Sequence, residues 1–225
     1  QVIHGDAETA LALARSPIDL LSFTGGPTAG LALKNASGLV RCLMELGGND
    51  PLFVLPDGDL DRAAATVIGH RFEIAGQSCA AVKRLYLHAD IADAFIERLM
   101  PMVEAVSTGD PLSDETVMGP VIDGPAADIV MERVSAAQRD GARLLIGGNR
   151  RGNLIAPTVI ADVSPETPLI AEETFGPVVS IRTFEDPAMA IAEVNAGAYG
   201  LQAGLFTNDH ALIRRFSRDL AVGGV

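Results

Sequence analysis

Short apolar runs that read as strands alternate with helix-like stretches along the whole sequence, and glycine or proline marks the turns between them. This alternation constrains the fold more than any other feature. Strands separated by helical crossovers assemble into a largely parallel sheet with flanking helices, an α/β architecture. The pattern predicts a helix over residues 7–15 and a strand over 19–23. A turn at Thr24-Gly25-Gly26-Pro27 follows, with the proline placed to start a helix that continues over 28–35. Strands at 39–46 and 52–55 are separated by Gly47-Gly48, and the Glu45–Gly48 region is the expected internal boundary. Acidic residues at 57–61 open a helix that runs to about residue 74, where the helix dipole favours them. A strand is expected at 84–88. Helices follow at 91–106, interrupted near Pro101, and at 125–140, stopped by Gly141. Strands at 143–146, 155–160 and 178–184 bracket a Pro- and Glu-rich loop. A helix at 187–194, a strand at 202–206, a helix at 209–220 and a strand at 222–225 complete the pattern.

Composition narrows the function classes. The 225 residues are 48% apolar and 20% charged with 23 glycines, as in an ordinary soluble globular protein. The formal charge is −12, and basic residues form no run longer than Arg150-Arg151 or Arg214-Arg215, so a phosphate backbone would be repelled and no nucleic-acid partner is expected. No apolar stretch reaches the length of a membrane span, and no signal-peptide pattern opens the sequence. With only two cysteines, Cys42 and Cys79, a disulfide framework is not indicated, and the cytoplasm is the expected location. The four histidines are scattered without metal spacing, so no metal site is expected. Both ends of the sequence read as cuts through a fold, which suggests a piece of a larger protein.

Two groups stand out chemically. Cys79 lies in the loop Gly76-Gln77-Ser78-Cys79, and Glu45 precedes Leu46-Gly47-Gly48. A thiol and a carboxylate suffice to make and break a thioester: the thiolate attacks a carbonyl carbon and the carboxylate activates water. Cys42, among Val40, Leu43 and Met44, reads as a core residue of a strand. Lys83 and Arg84 could depress the thiol pKa if they point inward; otherwise they are solvated, or one of them is an ion-pair partner. The turn through Gly25 and Gly26 aims backbone N–H groups at an anion and would suit a dinucleotide phosphate, although such turns also occur without a ligand. Glu172-Glu173-Thr174-Phe175-Gly176-Pro177 could offer a carboxylate to ribose hydroxyls beside an aromatic ring, or be a solvated acidic turn.

In this order, Phe23-Thr24-Gly25…Gly30, Glu45-Leu46-Gly47-Gly48, Asp59-Leu60-Asp61, Gly76-Gln77-x-Cys79 with Arg84, Gly119-Pro120, Glu172-Glu173-x-Phe175-Gly176-Pro177 and Tyr199-Gly200-Leu201 resemble the NAD(P)-dependent aldehyde dehydrogenase superfamily over nearly the whole chain. The resemblance implies Cys79 as nucleophile and Glu45 as general base. It also implies Gly25 and Gly26 near the phosphates of NAD or NADP, Leu46 near the nicotinamide, and Glu173 with Phe175 at its ribose. Residues 1–45 would be the C-terminal part of a Rossmann-like dinucleotide-binding domain and 46–225 most of the catalytic domain. The intact parent would be a homo-oligomer. In this family the oxyanion is held by the nucleophile's own backbone N–H and an Asn side chain. That Asn, a ribose-contacting Lys and a C-terminal oligomerisation strand would lie outside these residues, so the chain alone is expected to be inactive as a dehydrogenase.

Two departures from the family pattern bear on substrate and cofactor. Gly26 stands where the family usually has Ser, which removes one phosphate hydrogen bond. Ser78 stands where members acting on phosphorylated or phosphonylated aldehydes often have Arg, which disfavours a dianionic substrate. Asn49-Asp50-Pro51 with Ala81-Val82-Lys83-Arg84 resembles subgroups acting on small anionic aldehydes, and the expected substrate is a small monoanionic or neutral aldehyde. Two other readings remain open: a cofactor-independent thiol esterase or hydrolase, and a non-catalytic piece of such an enzyme.

The loop setting of Cys79 predicts that it is the reactive thiol. Brief iodoacetamide labelling of the native protein, read by peptide mass spectrometry, should modify Cys79 well before Cys42. Equal labelling, or preference for Cys42, would remove Cys79 from the role.

Overall fold

Every residue of the strand Pro51–Val54 is buried, as are four of the five in Arg84–His88. Strands with no exposed face occur where helices cover both sides of a sheet. A computed structural model describing residues 1–225 shows how this comes about. The chain divides into two compact units, Gln1–Gly47 and Gly48–Val225.

The first unit contains α1 (Ala7–Ala14), β1 (Leu20–Thr24), α2 (Pro27–Ser37) and β2 (Arg41–Glu45). Strands β1 and β2 pair in parallel, from Leu20 opposite Arg41 to Thr24 opposite Glu45. A small core of Ala14, Leu21 and Leu33 is packed by Leu11, Ile18, Phe23 and Met44 among others. Asp6 caps α1 by accepting from the N–H groups of Glu8 and Thr9. Cys42 is half-buried rather than enclosed, its thiol 3.5 Å from the Ser37 hydroxyl.

The second unit is built on a six-stranded sheet. Its strands are β3 (Pro51–Val54), β4 (Arg84–His88), β5 (Arg143–Ile146), β8 (Thr158–Ala161), β9 (Val178–Phe184) and β10 (Gly204–Phe206). Their order is β10-β3-β4-β9-β8-β5. All pairs are parallel except β5 with β8. A two-stranded ribbon, β6 (Arg150–Arg151) with β7 (Leu154–Ile155), lies outside this sheet. Successive residues of a strand point to opposite faces, and the core divides accordingly. Leu52, Val54, Leu85 and Leu87 join the helices α3 (Leu60–Phe72), α4 (Ala92–Glu104) and α5 (Gly124–Arg139) on one face. Phe53, Leu55 and Tyr86 join α7 (Pro187–Asn195) and α8 (His210–Asp219) on the other. No helix is long and apolar enough to cross a membrane.

Several elements differ from the sequence-based expectation. Helix α4 runs unbroken through Pro101, because burial of Phe95, Leu99 and Val103 along one face outweighs the backbone bond that proline removes. The strand expected over 155–160 is interrupted at Ala156-Pro157, where proline has no N–H to give a ladder. The Pro- and Glu-rich loop contains one helical turn, α6 (Pro168–Ala171). Residues 222–225 form no strand; Ala203 N–H donates to the Gly224 carbonyl, and Gly223 N–H to those of Gly200 and Leu201, in a glycine-rich turn.

Candidate active site

Helix α3 delivers the thiol loop. Asp59 caps its start by accepting from Arg62 N–H, and the helix ends at Phe72. The next residues turn sharply: Ile74, Ala75 and Gly76 all have positive φ, at 45°, 55° and 68°. Two consecutive non-glycine residues in the left-handed region are uncommon, and a β-branched one is an outlier that costs energy. At Gly76 the backbone also approaches its surroundings closely, and a Cβ there would lie 2.5 Å from the Gly176 carbonyl oxygen. Gln77-Ser78-Cys79 follow this turn directly.

Gln77 fastens the loop on one side. Its side chain donates to the Ile74 carbonyl at 2.9 Å and accepts from Ile122 N–H at 2.8 Å. Lys83 fastens it on the other, donating to the carbonyls of Ser78 at 2.9 Å and Cys79 at 2.8 Å. The same ammonium pairs with Glu173 Oε1 at 3.3 Å, and that oxygen also accepts from Gly48 N–H at 3.1 Å. Cys79 itself is half-buried and free.

The Glu173 loop is held mainly by cations acting on backbone. Arg71, fully buried on α3, donates to the carbonyls of Thr174 (2.9 Å) and Gly176. Arg133 on α5 reaches the Glu173 carbonyl, the Thr174 hydroxyl and the Glu172 carboxylate. Asn49 donates to the Ile170 carbonyl at 2.7 Å, and Arg84 donates to the Asn49 carbonyl at 2.7 Å. Phe175 is left 45% exposed, and Glu173 Oε2 accepts from no protein donor. An aromatic face and a free carboxylate oxygen on one loop fit a ribose with its hydroxyl pair.

Burial shapes the charges. The Lys83 ammonium is pulled below the usual lysine range by burial, a tendency opposed by Glu173 and Asp50. Burial lowers Arg71 to about 9, which leaves it charged at neutral pH. Asp50 is raised to about 6 by burial, against the opposing Gln202 N–H, Lys83 and Arg84.

In the first unit, Gly25 and Glu45 meet across the C-terminal ends of β1 and β2, where Gly25 N–H donates to the Glu45 carbonyl at 3.0 Å. Ligands of open α/β sheets collect at this end of the strands. The Glu45 side chain is exposed. Gly26 caps α2 with no side-chain hydrogen bond, and nothing lies within 4 Å of where its Cβ would be. Pro27 opens α2 and has no N–H, and Gly30 N–H donates to the Gly26 carbonyl, so the amides of Thr28 and Ala29 are the ones left at this helix start. Leu46 lies against α2 at Gly30, where a Cβ would come within 2.6 Å of its Cδ2.

The structure brings Cys79 and Glu173 together through Lys83, and places Gly25, Gly26, Glu45 and Leu46 on one edge of the first unit. Lys83 and Arg84 are both buried, at 3% and 4% exposure, and are not solvated. The roles of Arg71, Arg133 and Gln77 were not anticipated from the sequence. Apart from the Ile74 carbonyl, their partners lie far along the chain, and a sequence carries no local signal for them.

The chain matches the aldehyde dehydrogenase family over residues 1–225. It is 41% identical to the sulfoacetaldehyde dehydrogenase of Neptuniibacter caesariensis over 93% of this chain and 46% of that protein. It is 38% identical to an NAD(P)+ succinate semialdehyde dehydrogenase of Escherichia coli over 93% of this chain and 46% of that protein. The crystal structure of an NADP-dependent glyceraldehyde-3-phosphate dehydrogenase from Bacillus halodurans complexed with NADP superposes with a TM-score of 0.95 at 36% identity, covering 99% of this chain and 47% of that one. The chain spans about half the length of the curated relatives it matches.

The left-handed turn before the thiol generates a paired test. Gly76→Ala should destabilise the protein by about 2 kcal/mol or more, since it adds left-handed strain to a clash with two carbonyl groups. Ile74→Gly should have the opposite sign, by up to about 1 kcal/mol. Thermal unfolding reads both; a Gly76→Ala melting point within about 1 °C of wild type would show that the turn is not held as described.

Proposed function

This chain belongs to the aldehyde dehydrogenase family, and from that premise we propose that it carries the thiol chemistry by which a small, monoanionic aldehyde is oxidised to a carboxylic acid with NAD or NADP. The observation that carries the reading is the link from Lys83 to the Cys79 loop and to Glu173, a carboxylate with one oxygen committed and one free. Residues 1–45 are proposed as the end of the dinucleotide-binding domain and 46–225 as catalytic domain. The intact protein is proposed to be a cytoplasmic homo-oligomer.

In the proposed mechanism, Cys79 thiolate adds to the aldehyde carbon and forms a thiohemiacetal, its own backbone N–H facing the developing oxyanion. When bound, the nicotinamide supplies the hydride acceptor. Glu45 then takes a proton from water, which hydrolyses the Cys79 thioester and frees the thiol and the acid. Gly25 and Gly26, in the turn before α2, would lie at the phosphates, and Leu46 would lie near the nicotinamide. Glu173 Oε2 accepts from ribose hydroxyls with Phe175 alongside. Ser78 supports the monoanionic preference, since a hydroxyl gives a dianion no bidentate charged partner beside the nucleophile. The sulfoacetaldehyde and succinate semialdehyde named for the relatives above each carry one anionic group at neutral pH. A thiol esterase would have no use for the arrangement at Glu173 and Phe175. The chain by itself is proposed to be inactive as a dehydrogenase, and the reading is therefore tested in the complete product of its open reading frame.

That protein should reduce NAD or NADP with sulfoacetaldehyde or succinate semialdehyde at a higher kcat/KM than with phosphonoacetaldehyde. In the same protein Glu45→Gln should give a burst of reduced nicotinamide followed by turnover slowed about 10²-fold, because Gln keeps the shape but cannot take the proton. A steady state unchanged by Glu45→Gln would remove it from the mechanism. A tenfold preference for the phosphonate would overturn the substrate class.

A further inference from the structure

We infer that Lys83 is a positioning residue for this reaction, fixing both peptide groups that flank Cys79 and tying them to the carboxylate of Glu173. The inference rests on the roles proposed above for Cys79 and Glu173.

Lys83 Nζ bonds the Ser78 carbonyl at 2.9 Å and the Cys79 carbonyl at 2.8 Å. These two oxygens belong to the peptide planes immediately before and after the Cys79 Cα. Because a peptide group is planar, holding its carbonyl also holds its N–H. The Ser78 carbonyl shares its plane with Cys79 N–H, the amide proposed to face the oxyanion. With both planes pinned, φ and ψ of Cys79 are set, and with them the direction in which the thiol leaves the backbone. A cation on the Ser78 oxygen also polarises that peptide, which makes Cys79 N–H a stronger donor.

The ammonium's remaining donor meets Glu173 Oε1 at 3.3 Å. Gly48 N–H bonds the same oxygen at 3.1 Å, which leaves Oε2 without a protein donor. A packing role alone would be filled by an apolar side chain without the cost of desolvating a charge. The compact ammonium meets the Ser78 and Cys79 carbonyls and Glu173 most closely, with the Ala81 carbonyl at 3.5 Å, a convergence that a planar guanidinium would not suit. Burial and then the Arg71 guanidinium pull the ammonium below the usual lysine range, and Glu173 and Asp50 oppose them.

The test replaces the charge and keeps the stem, with Lys83→Met in the complete open-reading-frame product. Hydrogen exchange read by mass spectrometry should show amides of residues 77–82 and 172–176 exchanging about tenfold faster, with α4 and β9 unchanged. Loosening of one loop only, or of the whole domain, would overturn the inference. The kinetic arm expects kcat lowered about 10²-fold, the scale of a lost oxyanion donor, with aldehyde KM within about threefold. Combined with Glu173→Gln, the loss should fall short of the product of the single losses by about tenfold. A kcat within about threefold of wild type, or losses that simply multiply, would count against it. Should Lys83→Met fail to fold, Glu173→Gln alone should still speed exchange at 77–82, and unchanged exchange there would overturn the coupling. A wild-type protein without aldehyde-dependent reduction of NAD(P), or an active Cys79→Ser variant, would instead sink the functional reading, and the exchange arm would still decide the role of Lys83.

Discussion

A charge removed from water must find its partners inside the protein, and in the second unit that requirement organises the candidate site. Arg71 has no exposed surface and Lys83 almost none. Desolvating each costs several kcal/mol, which only well-placed oxygens can offset. The oxygens they find are mostly backbone carbonyls of two loops: Ser78 and Cys79 for Lys83, Thr174 and Gly176 for Arg71. Carbonyls in irregular backbone beneath a surface would otherwise lack donors, which the Lys83 ammonium and Arg71 Nη2 supply, while Arg71 Nε and Nη1 have no protein partner. Two loops about a hundred positions apart are thereby held at fixed separation without a disulfide or a metal.

This arrangement also explains how a strained turn can persist beside the thiol. Left-handed Ile74 and Ala75 would relax if the chain on either side were free. Upstream, α3 is locked by its buried face of Ala63, Ala64, Val67 and Phe72. Downstream, Gln77 and Lys83 hold the loop to Ile122 and Glu173. With both flanks fixed, the turn has no direction in which to unwind, and Gly76 fits against the Gly176 carbonyl because it carries no side chain.

Much of the fold was legible because its periodicities are clean. The strands 84–88, 143–146 and 178–184 coincide with β4, β5 and β9, whose residues are largely apolar and end at helices or glycines. Helix α5 stops at Gly141, whose φ of 97° suits no other residue so well. Errors arose where tertiary context outweighed local chemistry. Pro101 is carried inside α4 by the packing of its neighbours, and Val222 to Val225, apolar and strand-like in composition, find no ladder and bond to a turn at 200–203. Glu45 in the first unit, and Cys79 and the Glu173 loop in the second, could be singled out because reactive groups beside glycines are visible in a sequence. The cations that hold the Glu173 loop could not, since nothing in the local pattern around Arg71 or Arg133 points to carbonyls near residue 174.

The same distinction bears on how substrate charge is selected. Asn49-Asp50 and Lys83-Arg84 resemble the signature of subgroups that act on small anionic aldehydes, which invites the reading that these residues touch the substrate. Their side chains are instead buried. Asn49 bonds the Ile170 carbonyl, Arg84 the Asn49 carbonyl, Lys83 the thiol loop and Glu173, while Asp50 accepts from Gln202 N–H. Any correlation between this signature and substrate charge must then act through the position of the thiol loop. Direct recognition of an anionic group falls to side chains that face the thiol, and in this segment the residue adjoining it is Ser78, a neutral hydroxyl. A hydroxyl can share one hydrogen bond with a sulfonate or carboxylate but cannot neutralise it. On the reading proposed above, the balancing charge for a monoanionic aldehyde would come from outside this loop, and the thiol loop would supply geometry and not charge.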